Sequence, residues 1–148
     1  MNDLKRIGAA LTAAIGLTVV PAHADTTDVT MYKDPNCGCC SKWADHMREA
    51  GFTVNEVHSQ QMDRVKQQLG IPEAVSSCHS ARIGKYLVEG HVPAADVKRL
   101  LETQPEVAGL AAPGMPMGSP GMEGPYPAQR YEVVSFDRSG AAKVFASH

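Results

Sequence analysis

The stretch DVTMYKDPNCGCCSKW, residues 28–43, decides the fold of this chain. Residues 28–32 alternate between polar and apolar side chains, which predicts a β-strand that opens the domain. The run Asp34-Pro35-Asn36 is typical of a turn, and Asp34 or Asn36 is a candidate cap for the next helix. Residues 39–50 have apolar side chains every three or four positions, which predicts that helix.

The rest of the chain continues this alternation of strands and helices. Its patterns predict a strand over 52–57, a helix over 62–69, a hairpin over 81–89 and a helix with Pro93 in its first turn. The order β-α-β-α-β-β-α is that of a thioredoxin-like core, so the predicted class is α/β. Residues 131–145 alternate about a turn and predict an extra C-terminal β-hairpin.

A segment rich in Gly, Pro and Met, residues 109–128, separates the predicted core from the hairpin. Its composition predicts no regular element. A long irregular segment in a compact domain is either functional or disordered. Three of its methionines, Met115, Met117 and Met122, offer thioether sulfurs that either pack adaptably or bind a soft metal.

The N-terminus predicts export. Two basic residues precede the apolar run 7–20, and Ala22-His23-Ala24 follows it, a pattern typical of a secretory signal peptide. A membrane anchor is the alternative, but the run is shorter than the roughly 20 residues that a span needs. We therefore expect residues 1–24 to be a cleaved signal peptide and residues 25–148 to form a single domain.

Composition narrows the function further. The formal net charge of −2 gives no support for binding to nucleic acid. After cleavage of the signal peptide, no later apolar run is expected to span a membrane. Exported proteins meet oxidising conditions, in which free thiols last only when a metal or a reducing partner protects them.

The cysteines permit three kinds of chemistry. Cys37 and Cys40 form a CxxC at a predicted helix N-terminus, where thiol pKa values fall and redox exchange is favoured. Cys39 would compete in such a pair, whereas a metal site gains a ligand from it. The predicted fold brings the loop with Cys78 and His79 to the same edge, which favours a metal site. A plain disulfide from Cys78 to Cys39 or Cys40 is the third alternative.

Copper is the metal that the donor types favour. Zinc sites typically use two separated cysteine pairs, and iron–sulfur ligands are spread over more sequence. Cu(I) accepts thiolate and thioether ligands, and bridging sulfurs can hold several ions. His91 either completes the site or caps the helix at Pro93, and we expect the first. The other histidines, His46, His58 and His148, are expected at the surface.

Four motifs resemble those of the CopG-like periplasmic copper-resistance family. They are MYK…CGCCSKW within residues 31–43, SCHSA at 77–81, VEGHVPA at 88–94 and GMPMGSPGME at 114–123. The resemblance covers most of residues 28–147. It implies a thioredoxin-like, metal-binding copper protein of the Gram-negative periplasm. The implied copper ligands are Cys37, Cys39, Cys40 and Cys78, and His79 and His91 match the motif histidines.

These observations lead to one hypothesis and two alternatives. The chain is expected to bind copper in the periplasm for copper resistance, holding one or several Cu(I) ions and interconverting copper oxidation states. Whether it is an enzyme stays open. The cysteines, His79, His91 and Met117 form the expected site. The alternatives are a thiol-disulfide oxidoreductase that uses Cys37 and Cys40, and a chaperone that delivers copper to a periplasmic efflux or copper-handling partner.

Overall fold

A seven-stranded sheet organises residues 27–148, the part of the chain that this computed structural model describes. The predicted signal peptide lies outside these residues. Three α-helices and a short 3-10 helix, Glu73–Val75, connect the strands. The elements in chain order are β1 Asp28–Lys33, α1 Gly38–Glu49, β2 Thr53–His58, α2 Met62–Leu69, β3 Ser80–Ile83, β4 Tyr86–Glu89, α3 Ala94–Thr103, β5 Gly109–Ala111, β6 Glu132–Phe136 and β7 Ala142–Ser147.

The strands lie in the order β2-β1-β3-β4-β5-β6-β7. Strands β1 and β2 run parallel, as do β4 and β5, and the other neighbours are antiparallel. The predicted order β-α-β-α-β-β-α and the predicted terminal hairpin are both present, so the prediction of an α/β fold is confirmed. Two crossover connections, which contain α1 and α3, produce the parallel pairs because parallel neighbours cannot be joined by a tight turn.

Both faces of the sheet are covered by apolar side chains. On β4, Val88 packs into the cluster with α1 and α3, whereas Leu87 packs into a smaller cluster near the end of α2. Strand residues alternate between the two faces, so one strand serves both clusters. Trp43 of α1 is fully buried in the larger cluster, and its indole Nε1 donates a hydrogen bond to the Val92 carbonyl at 2.8 Å.

The prediction that residues 109–128 contain no regular element is wrong at their beginning. Gly109–Ala111 forms β5, a central strand between β4 and β6. All three of its residues are buried, and a strand buried on both faces shows no alternation of polar and apolar residues. Three residues are also too few for a period to be visible. The remainder, residues 112–128, consists of turns and irregular backbone, and we call it the irregular segment.

The irregular segment folds back on itself through local hydrogen bonds. The Gly118 N–H donates to the Met122 carbonyl at 3.0 Å, and the buried Ser119 hydroxyl donates to the Pro116 carbonyl at 2.7 Å. These bonds satisfy backbone groups that have no partner strand. Among the helices of residues 27–148, none has both the length and the apolar character needed to cross a membrane.

Candidate metal centre

Cys37 occupies the N-cap position of α1, and its thiol makes no capping hydrogen bond. The cap predicted at Asp34 or Asn36 is therefore wrong. Asp34 instead closes the preceding turn, because its carboxylate accepts the Asn36 N–H at 2.8 Å and its carbonyl accepts the Cys37 N–H at 3.0 Å. The positive end of the helix dipole is thus left next to sulfur atoms, where it stabilises thiolates.

Four sulfur atoms meet at this helix start. The Sγ atoms of Cys37, Cys39, Cys40 and Cys78 all lie within 4.8 Å of one another. The Cys39 sulfur is 3.5 Å from that of Cys37, and the Cys78 sulfur is 3.5 Å from that of Cys40. Cys40 is fully buried, whereas the other three are partly exposed. The predicted approach of Cys78 to the first turn is therefore observed.

Cys37 and Cys40 form a disulfide in this structure, and Cys39 and Cys78 are free thiols. The alternative disulfide predicted between Cys78 and Cys39 or Cys40 is therefore wrong. The bonded pair is the CxxC pair, because one helical turn brings residues three apart onto the same side of α1. The site consequently has an oxidised form with two free thiols, and reduction gives a form with four.

Two histidine rings complete the cluster on the side of Cys78. The Cys78 sulfur lies 3.0 Å from Nε2 of His91 and 3.4 Å from Nδ1 of His79. These three donor atoms also lie within 4.8 Å of one another. Cys78 thus belongs to two overlapping donor groups, one of four sulfurs and one of a sulfur with two nitrogens.

The irregular segment fixes which nitrogen of His91 faces the Cys78 sulfur. Nδ1 of His91 lies 2.8 Å from the Pro120 carbonyl oxygen. A carbonyl can only accept a hydrogen bond, so Nδ1 carries the proton and Nε2 presents its lone pair to Cys78. A backbone carbonyl that orients a histidine in this way is the usual outer partner of a metal-binding imidazole.

His79 is fully buried between two aromatic rings. Its ring centre lies 4.7 Å from that of Trp43 and 5.0 Å from that of His91. Within residues 27–148, Nε2 of His79 is a buried polar atom without a hydrogen-bond partner. Its other nitrogen, Nδ1, faces the Cys78 sulfur, so the ring lies in contact with the cluster.

Burial controls the charges of these donors. It raises the pKa of the Cys78 thiol to about 11, with a further contribution from Cys39. Burial also lowers the pKa of both His79 and His91, and the first is further lowered by the second. At neutral pH the metal-free cluster therefore presents a protonated Cys78 and two neutral imidazoles. Neutral imidazoles bind a metal ion without first losing a proton.

The remaining predicted histidines divide into two cases. His46 was expected at the surface, and this is wrong. Its Nε2 accepts the Ala94 N–H at 3.0 Å and so caps the start of α3, the role that was the alternative for His91. His58, beside Glu56, and His148, whose Nε2 lies 2.7 Å from an Asp96 carboxylate oxygen, are both exposed, so the surface prediction is confirmed for these two.

Met117 lies in the irregular segment, paired with Gln129. The Met117 N–H donates to the Gln129 side chain at 3.0 Å, and its carbonyl accepts the Gln129 N–H at 2.8 Å. Met115 is 54% exposed. These contacts order the segment, and a role for Met117 as a ligand stays a prediction.

Sequence reasoning missed two contacts of the cluster. In the sequence, Pro120 is one of several prolines in a Gly/Pro/Met-rich segment, whereas in the structure its carbonyl orients His91. Trp43 is an apolar position of the predicted helix, and in the structure its ring packs against His79. Pro120 belongs to a quoted motif, but no local pattern indicates which carbonyl will reach a histidine 29 residues earlier.

Fold and cluster together define the class: a mixed α/β protein with overlapping cysteine and histidine donors at one end of the neighbouring strands β1, β3 and β4. Two solved structures, named Copper resistance protein copG form 2 and form 1, are similar to this chain with 44% sequence identity and a TM-score of 0.77. The similarity covers 82% of this chain, 97% of form 2 and 96% of form 1. This chain belongs to the family of the copper resistance protein CopG, which confirms the predicted resemblance.

Two further comparisons complete this result. A family model described as a protein of unknown function, DUF411, matches residues 75–122. This range contains Cys78, His79, His91 and the methionines of the irregular segment. No curated protein matches the chain.

Proposed function

We propose that this protein binds copper in the periplasm and acts in copper resistance, holding more than one Cu(I) ion in the reduced cysteine cluster. The observation that supports this most directly is the shared position of Cys78. Its sulfur belongs to both donor groups, and a thiolate in such a position can bridge neighbouring ions. The family membership supports copper as the metal.

The donor chemistry fits Cu(I). The two groups contain sulfur and imidazole nitrogen, which are soft and intermediate donors suited to this ion. The unpartnered, buried His79 ring beside Cys78 also fits a ligand role. A single tetrahedral zinc ion would use four of these donors and would leave the rest of a buried cluster without a function.

The residues of the chain have distinct tasks in this proposal. Cys37, Cys39, Cys40 and Cys78 supply the thiolates, and His79 and His91 supply neutral nitrogens. Metal binding requires Cys78 to release its proton, because burial keeps the thiol protonated in the metal-free protein. Pro120 keeps the His91 lone pair directed at the cluster. Met117 would act from the irregular segment as an exchange ligand.

The disulfide adds a redox dependence. With Cys37 and Cys40 bonded to each other, two of the four sulfurs are unavailable as thiolates. We therefore propose that the reduced form has the full copper capacity and that the oxidised form has less. Interconversion of Cu(I) and Cu(II) belongs to the same proposal. Oxidation of the Cys37 and Cys40 thiols to their disulfide would release two protons and two electrons, which would reduce two Cu(II) ions to Cu(I), and the reverse reaction would reduce the disulfide.

Anaerobic loading with Cu(I) tests the main proposal. The full-length protein, exported by its host and purified, is loaded once after reduction and once after oxidation, and copper, zinc and free thiols are counted. We expect more than one copper per reduced chain and a lower ratio per oxidised chain. Zinc as the sole bound metal, or the same copper ratio in both forms, would contradict the proposal. The mass of the exported chain tests removal of residues 1–24.

A thiol-disulfide oxidoreductase is the second candidate, favoured by the Cys37–Cys40 disulfide at a helix start. Such an enzyme should reduce a protein disulfide such as that of insulin in the absence of copper. A carrier that delivers copper to an efflux partner would instead transfer metal to that partner without turnover. Insulin reduction by metal-free protein separates the first of these from copper binding alone.

A further inference from the structure

A network of charged and polar side chains, which are not members of the donor groups, contacts the backbone next to Cys78. Glu89, the last residue of β4, is fully buried and forms an ion pair with Lys66 of α2. Its carboxylate also accepts hydrogen bonds from the Ser80 hydroxyl and from the Ser77 backbone N–H, the latter at 2.7 Å. Ser77 is the residue before Cys78, so the carboxylate contacts the backbone that leads into this cysteine.

Stability alone is a weak explanation for this network. Removing two charges from water is unfavourable, and apolar side chains of similar volume often stabilise a core equally well. What the ion pair supplies and apolar side chains cannot is a fixed, charged acceptor for the Ser77 N–H. Hydrogen bonds to charged acceptors are roughly twice as strong as those between neutral groups.

The segment around Cys78 is held from both ends. Before Cys78, the Ser77 N–H donates to Glu89. After it, the His79 carbonyl accepts the Gly90 N–H at 2.9 Å. Gly90 has a φ of +71°, and a Cβ there would lie 2.2 Å from the Ser77 hydroxyl oxygen, so Ser77 fits closely against the β4 end.

The Ser77 segment also continues into the irregular segment. The Ser77 hydroxyl donates to the Gly114 carbonyl, and the Gly114 N–H donates to the Ser76 carbonyl at 3.1 Å. The start of the irregular segment at Gly114 is therefore hydrogen-bonded to the two residues that precede Cys78. A displacement of Ser77 would move both.

We infer that Glu89 is a positioning residue for Cys78: paired with Lys66, it holds the Ser77 backbone and thereby keeps the Cys78 sulfur between the other cysteines and the two histidines. The effect on the thiol is independent of metal. The consequence for copper rests on the proposed function, because it requires Cys78 to be a ligand.

Thiol alkylation measures the position of Cys78 without metal. Two single-cysteine chains are made by replacing the other three cysteines with serine, one retaining Cys78 and the other Cys39. Glu89→Gln is then introduced into each, and the rate of reaction with N-ethylmaleimide is measured at fixed pH. We expect the Cys78 rate to rise about tenfold and the Cys39 rate to stay unchanged. Without the charged acceptor for the Ser77 N–H, Cys78 leaves its half-buried position more often, and the loss of one charge-assisted hydrogen bond corresponds to about this factor.

Two variants exclude other causes. Lys66→Met combined with Glu89→Gln removes both charges, so the local net charge is unchanged while Ser77 still loses its charged acceptor; the same rise is expected. This variant also leaves no buried charge unpaired, which keeps the test valid where Glu89→Gln alone fails to fold. Glu56→Gln removes a different ion-paired carboxylate of the sheet, bound to Lys33 and Arg48, and should change neither rate.

The outcomes are separable. Equal rises at Cys78 and Cys39, or no rise at either, would overturn the inference and leave Glu89 a purely structural residue. Copper is tested in the chain with all four cysteines by competition with a Cu(I) chelator, where Glu89→Gln should weaken binding about tenfold. If Cys78→Ser leaves copper affinity unchanged, the proposed ligand role is wrong, but the alkylation ratio still decides the positioning role.

Discussion

His91 joins the irregular segment to the donor cluster, with Nδ1 2.8 Å from the Pro120 carbonyl and Nε2 3.0 Å from the Cys78 sulfur. A shift of Pro120 would free the ring to rotate or to exchange the proton between its two nitrogens. This hydrogen bond couples the irregular segment to the cluster, so changes in the segment should be detectable at the sulfur atoms.

Gly121→Ala should lift the segment from the cluster. Gly121 has a φ of +85°, and a Cβ there would lie 2.6 Å from the Cys39 carbonyl oxygen and 2.8 Å from the Trp43 backbone nitrogen. Since these are backbone atoms of α1, the segment must move instead. We expect a loss of roughly 1 kcal/mol or more in the free energy of unfolding and faster release of Cu(I) to a chelator.

Gly124→Ala is the matched control for this change. A Cβ at Gly124 meets only the flexible end of Met117, at 3.8 Å, and it needs no positive φ. The control should bind and release copper like the wild type. Equal release rates for Gly121→Ala and the wild type would mean that the contact between the segment and α1 does not matter for copper retention.

Replacing Met115, Met117 and Met122 with Leu should speed copper release while leaving the stoichiometry mostly unchanged. Leucine keeps the volume and the apolar character, so the fold should lose less than about 1.5 kcal/mol per site. The thioether sulfurs, which are weaker ligands than thiolates, are lost. Chelator competition at fixed pH gives the release rate, and elemental analysis gives the stoichiometry. An unchanged rate would reduce the segment to a cover without metal contact.

Cys39→Ser should separate copper binding from thiol exchange. A CxxC enzyme needs Cys37 and Cys40, which remain able to form their disulfide. A copper cluster loses a sulfur that lies 3.5 Å from its neighbour, so the number of copper ions per chain should fall. Insulin reduction and elemental analysis are measured on the same preparation. Copper binding equal to that of the wild type would show that the cluster does not use Cys39.

The terminal hairpin should lose stability in acid through Asp137. Its carboxylate accepts the Ser139 hydroxyl at 2.6 Å and the Ala141 N–H at 3.0 Å, and these hydrogen bonds lower the pKa of Asp137. The unfolded chain then binds a proton more readily than the folded one. The stabilisation is therefore fully present above the ordinary carboxyl pKa of about 4 and is lost as the pH falls from there through the lowered pKa of the folded protein.

The effect is measured by urea unfolding of the wild type and of Asp137→Asn at pH values from about 3 to 7, a range that includes the ordinary carboxyl pKa. The wild type should be the more stable at neutral pH, and the difference should shrink as the pH falls. Ser139→Ala removes only the hydroxyl donor and should give a shallower pH dependence than the wild type. A difference that stays constant with pH would contradict the assigned role of the carboxylate.

The parts of the fold that sequence reasoning predicted correctly are those with a local signal. The strand, turn and helix of residues 28–49 follow from periodicity, and the approach of Cys78 to the cysteines follows from the order of elements. The strand Gly109–Ala111 was missed because three residues buried on both faces have no period. Boundaries moved by one or two residues, as helix and strand ends usually do.

The contacts that join distant parts of the chain were beyond a single sequence. His46 caps a helix 48 residues later, and Lys66 pairs with Glu89 across 23 residues. A histidine on a predicted helix surface and a glutamate at a strand end are both common at exposed positions. The position of α1 beside the start of α3 brings His46 to the Ala94 N–H, and the position of α2 beside β4 makes Lys66 and Glu89 a buried pair.

Trp43 gives this chain an internal optical reporter. The sequence contains a single tryptophan, its ring is fully buried, and its centre is 4.7 Å from that of His79. Its fluorescence therefore originates from one known position in contact with a residue of the cluster. Events at the cysteines and histidines can be followed in the unmodified protein by intensity and wavelength, with no attached dye to disturb the thiols.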